Sequence, residues 1–133
     1  MKLSNLIVDT KSAWIEYPAC PGFEVELVCH STTALAALRK KSTTEKWNKR
    51  EGRMVEVVNE DKFVSDFTRA VIKNWKGLKI KDVATLLLVN VGPEVEGDTE
   101  VEYSPEDAEL LIKRSRDFDS WVNEMVFDLA NFR

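Results

Sequence analysis

An α+β fold follows from two patterns in this 133-residue sequence. Early in the chain, Phe23, Val25, Leu27 and Cys29 alternate with Glu24, Glu26 and Val28 directly after a Pro21-Gly22 turn signal, the period of a half-buried strand. Late in the chain, apolar residues recur at helical spacing behind well-formed caps, most clearly after Ser104-Pro105-Glu106-Asp107. The expected architecture is a small N-terminal antiparallel β element packed with a mainly helical C-terminal half. At this length one domain over residues 1–133 is expected.

The elements can be justified in order. Ala13-Trp14-Ile15-Glu16-Tyr17 precedes Pro18 and is extended, so the turn at Pro21-Gly22 is expected to pair it with the Phe23–Cys29 strand. Ser31, Thr32 and Thr33 offer cap hydroxyls to a short helix through Ala34–Leu38. Residues 39–53 are polar and basic, and Gly52 supplies a turn before Met54–Val58, which fits a β-ribbon or an ordered loop. Asn59 caps the next helix, with Glu60 and Asp61 in its first turn where carboxylates favour the dipole. On that helix Phe63, Val64, Phe67, Ala70, Val71 and Trp75 fall on one broad face, and Gly77 closes it as a C-cap glycine.

Residues 79–90 admit two patterns. Ile80, Val83, Ala84 and Leu87 fit a short helix, while Leu86–Val89 also suits a buried strand; the helix is the preferred assignment. An acidic loop follows over residues 92–102, broken by Gly92-Pro93 and Gly97-Asp98. After the Ser104-capped helix a last helix begins near Asp117. Its Phe118, Trp121, Val122, Met125, Leu129 and Phe132 lie within about 100° of arc, a core stripe.

Composition narrows the function. The balance of 19 basic and 23 acidic residues gives a net charge of −4, which disfavours nucleic-acid binding because phosphates demand a positive excess. No apolar run approaches the ~18 residues of a membrane span, and the N-terminus is too short and polar for a secretory signal. The expected setting is therefore cytosolic, with Cys20 and Cys29 as free thiols. His30 is the sole histidine. Consecutive strand side chains point to opposite faces, so Cys29 is misplaced as its nucleophilic partner and His30 is read as a structural or surface residue. One histidine and two cysteines also lack zinc-ligand spacing, and the acidic loop lacks the spacing of a calcium loop. No catalytic constellation, metal or cofactor is expected.

Two features point instead to binding. Residues 39–53 hold seven Lys or Arg against two Glu, whereas residues 94–109 hold eight acids and no base. Opposed patches of this kind can join copies head to tail, making a homo-oligomer one expected state. Phe127 lies opposite the Phe118–Trp121–Met125 stripe, flanked on the wheel by Ser120 and Asn123, so it either packs against another element or meets a partner. Phe127, Trp75 and Phe132 are the candidate partner-binding residues.

The order of the segments carries a resemblance. Ala13-Trp14-Ile15-Glu16-Tyr17-Pro18 is followed by PGFEVEL at 21–27, LRKKSTTEKW at 38–47, FTRAVIKNWKGLKIKD at 67–82, EYSPEDAELL at 102–111 and DFDSWVNEMVFDLANFR at 117–133. In that order the chain resembles the tail assembly chaperones of long-tailed bacteriophages. The resemblance implies a small protein of the host cytoplasm that binds the aggregation-prone tape-measure protein, is displaced by the tail tube protein, and is absent from the mature virion. It also implies that this is the short form, to which a ribosomal frameshift in many phages appends a second domain. A structural tail or head–tail connector protein of the same particle is the alternative.

Overall fold

The computed structural model describes all 133 residues and has an α+β fold with its strands mostly in the N-terminal half. The predicted first hairpin forms: β1 (Thr10–Glu16) runs antiparallel to β2 (Glu24–His30), with Ala13 opposite Leu27 and Ile15 opposite Val25. Alternation decides the faces. Val25 and Leu27 are buried, while Trp14 on the other face lies against Lys76, whose ammonium sits 4.6 Å from the ring centroid.

Ser31 caps α1 (Thr32–Lys41), its Oγ accepting from the Ala34 amide at 3.1 Å. The basic segment then becomes the β-ribbon, β3 (Thr43–Asn48) paired with β4 (Arg53–Val58). Asn48 orders the tip, its Oδ1 accepting from the amides of Arg50 and Glu51. The ribbon is clasped to the body at its base, where the Asn59 amide donates to the buried Ser42 carbonyl at 2.8 Å and the Ser42 hydroxyl donates to Asp66.

Asn59 caps α2 (Glu60–Val71) as expected, but the helix stops before Trp75. The chain passes without a loop into β5 (Ile72–Lys76), which pairs with β2 and completes a three-stranded sheet in the order β1-β2-β5. Val25 faces Trp75, Leu27 faces Ile72, and a bulge between them absorbs the extra residue. That bulge explains the misassignment. It lets Ile72 and Trp75, three apart, face the same core, so a strand here carries a spacing that otherwise marks a helix. Gly77 follows with a positive φ of 75°, and a Cβ there would collide with the Gly22 carbonyl. The glycine thus serves a backbone crossing at the end of β5, not a helix C-cap.

Residues Ile80–Leu86 form α3, the helix preferred over a strand in the sequence, while Leu87–Asn90 belong to neither helix nor strand. The acidic loop folds back onto the start of α3: the Ile80 and Lys81 amides donate to Thr99 and Gly97, and the Val101 amide donates to Leu78. Helices α4 (Pro105–Arg114) and α5 (Arg116–Val126) share Ser115, which ends the first and caps the second by accepting from the Phe118 amide at 3.3 Å.

The core lies between the sheet and α2, α4 and α5. At its centre Phe23 stacks on Phe118, with Tyr17 edge-on to both and to Trp121. Full burial of a side chain such as Phe118 contributes about 2–3 kcal/mol. The C-terminal stripe is only partly realised. The last helix ends at Val126, Asp128 caps a short 3-10 turn at Leu129–Phe132, and Leu129 points to solvent while Phe132 is buried. Loss of α-helical rotation after Val126 breaks the wheel that grouped them.

Candidate functional site

The residues singled out in the sequence part company. Trp75 is 4% exposed and donates its indole N–H to the Val101 carbonyl at 3.0 Å, edge-on to Tyr103. Phe132 is buried beside β1. Each fills the core that holds the sheet to the helices, so little of either ring reaches solvent. Phe127 is different. Its ring stacks on Phe67, with centroids 6.4 Å apart and planes 20° apart, yet it remains 59% exposed. It both packs and shows a surface.

Phe67 in turn stacks on Phe63 one turn earlier on α2, at 5.7 Å and 21°. Three phenylalanines therefore form one row across α2 and the end of α5. Spacing of four residues puts Phe63 and Phe67 on the same strip of helix. They lie half-buried on its flank, while Thr68 and Val71 take the fully buried positions. Thr68 is tolerated there because its hydroxyl donates to the Val64 carbonyl at 2.7 Å. Helical periodicity grouped Phe63 and Phe67 with the core; the row was missed because its third ring comes from a different helix.

A polar knot fixes α2 against α4. The Ser65 hydroxyl donates to Glu109 Oε1 at 2.5 Å, and Arg69 Nε donates to the same oxygen at 2.8 Å. Those bonds favour the carboxylate, so Ser65 first and then Arg69 hold Glu109 below the usual carboxylate range against the opposing effect of burial. The Arg69 guanidinium is raised chiefly by its hydrogen bond to Glu109.

His30 Nε2 donates to the Ala70 carbonyl at 2.7 Å, tying the end of β2 to the last turn of α2. Both cysteines are free, and burial pushes the Cys20 thiol up, away from the reactive thiolate. No cluster of three or more His, Cys, Asp or Glu converges as a metal site would, and no helix is long and apolar enough to cross a membrane. What the surface offers is apolar and aromatic contact, together with the basic ribbon and the acidic loop.

The family model for the YdaY prophage protein matches residues 30–133, more than three quarters of the chain. The chain belongs to the YdaY prophage protein family. Comparison with curated proteins and with solved structures returned no match. The span matched by the YdaY family begins at the last residue of β2, so it takes in the ribbon, the phenylalanine row and the acidic loop and leaves out β1. Membership in this family makes the protein one of prophage origin.

Proposed function

We propose that this prophage protein is a tail assembly chaperone of the host cytoplasm. It binds the tape-measure protein, keeps it soluble until the tail tube protein displaces it, and does not enter the mature virion. The phenylalanine row carries the reading. Phe63, Phe67 and Phe127 present a strip of stacked rings across two helices, the kind of surface on which an apolar stripe of a partner helix can lie. The ordered resemblance to tail assembly chaperones and the prophage origin both support it. Such a chaperone works by mass action, occupying apolar segments that would otherwise aggregate.

Co-expression with the tape-measure protein encoded in the same prophage tests the proposal. The partner is expected to aggregate alone and to co-purify in soluble form with this chain. Phe127→Glu is expected to abolish co-purification while circular dichroism stays native, since loss of an aromatic anchor costs about 2 kcal/mol or more of binding. A well-folded wild type that leaves the tape-measure protein insoluble would refute the chaperone. Detection of the chain in purified virions by mass spectrometry would favour a structural tail or connector protein instead.

A further inference from the structure

We propose that copies of this chain associate head to tail, the tip of the β3–β4 ribbon of one copy seating on the acidic cleft beside α3 and α4 of the next. The inference is independent of what the phenylalanine row binds.

The ribbon has no third strand and projects from the body by its clasp at Ser42 and Asn59. Trp47 and Met54 face each other directly across it and are 60% and 51% exposed, an apolar pair far larger than a solvated arm requires. Around them the tip carries Lys46, Lys49 and Arg50, none of which forms an ion pair within the chain; only Arg53 does, with Glu51. The facing carboxylates Glu45 and Glu56 lie two pairs closer to the body than Trp47 and Met54, which confines the docking surface to the outer half of the ribbon.

The complementary surface is on the same molecule. An apolar cleft of about 140 Å³ opens among Leu78, Val83, Leu87, Leu110 and Leu111, with Asp107 on its wall. Val101 also lines it, so the acidic segment borders the opening. Along that segment Asp98 is neutralised by Lys81 at 3.1 Å, but Glu94, Glu96, Glu100 and Glu102 have no cationic partner. Leu88, next in sequence to the cleft residue Leu87, is wholly exposed. An apolar knob with a basic collar thus matches an apolar cleft with an acidic collar, and the ribbon makes no ion pair with the acidic segment of its own chain. The second copy supplies both halves of the match. Because the two surfaces differ, the contact is heterologous, and each added copy leaves one ribbon and one cleft free, continuing into a ring or a filament.

Sedimentation velocity of the full chain across a concentration series, at low and at high salt, tests this. Mass is expected to grow with concentration and to fall with salt, as desolvated but rim-charged contacts do. Trp47→Ala, the pair Lys49→Glu with Arg50→Glu, and the pair Glu96→Lys with Glu100→Lys are each expected to weaken association about tenfold or more. All these side chains are exposed, so native circular dichroism is expected in every variant. Mixing the two charge-reversed proteins is expected to restore association, since the reversed ribbon of one then meets the reversed cleft of the other. A wild type that stays monomeric at every concentration would overturn the proposal. So would an assembly that survives both high salt and the charge reversals.

Discussion

The two antiparallel β elements of this protein make the same backbone hydrogen bonds to opposite ends. In the β1-β2-β5 sheet one face is closed by helices, and Val25, Leu27, Ile72 and Trp75 are buried. In the β3–β4 ribbon neither face is closed, Trp47 and Met54 stand in water, and like-charged Glu45 and Glu56 face each other across the strands. A two-stranded ribbon is marginal by itself, so this one is held by its clasp to the body and by an ordered turn rather than by burial. Where apolar side chains are buried they hold the fold; where they are left exposed on a tethered arm they are available to a partner.

The comparison can be broken most forcefully in the core. Phe118→Ala removes a ring that touches Tyr17, Phe23 and Trp121 and is expected to cost about 3–5 kcal/mol, measured by urea unfolding. A loss under about 1 kcal/mol would mean that the sheet is not held by this cluster. Gly77→Ala comes next. It forces a side chain both into a positive-φ conformation and onto the Gly22 carbonyl, and a loss of about 2–3 kcal/mol is expected by the same measurement. Ser115→Ala, which deletes the cap between α4 and α5, is expected to cost about 1 kcal/mol.

A smaller effect has a pH signature. Glu109 has a depressed folded-state pKa, so its contribution is present above the ordinary carboxylate pKa and is lost as pH falls through the lowered value. Glu109→Gln is therefore expected to flatten the acid limb of a melting-temperature profile while changing little near neutrality beyond a constant offset. Parallel acid limbs in the two proteins would count against the Ser65–Glu109–Arg69 knot. The smallest effect belongs to the ribbon: Trp47→Ala is expected to change stability by no more than about 0.5 kcal/mol, as exposed positions do. A loss comparable to that at Phe118 would erase the distinction between the two β elements.

Much of this was legible in the chain because the signals were local. The Pro21-Gly22 turn and strict alternation predicted the β1–β2 hairpin, and Ser31, Asn59 and Ser104 each cap the helix that follows them. The opposed charge runs and the anomaly at Phe127 were also visible. The candidate site was not, because its row joins Phe63 and Phe67 of α2 to a residue at the end of α5, and periodicity within one helix carries no information about a neighbour.

By itself, then, the sequence determined the α+β class, the caps, the first hairpin and the chemistry available on the surface, since each depends on residues a few positions apart. Tertiary structure alone decided that the chain leaves the helix at Val71 and continues as β5, and that Leu129 leaves the core stripe for solvent. The reason is physical. The end of α2 can gain more by pairing with β2, distant in the chain, than by adding a helical turn, and the bulge lets it do so with the same apolar residues facing the core.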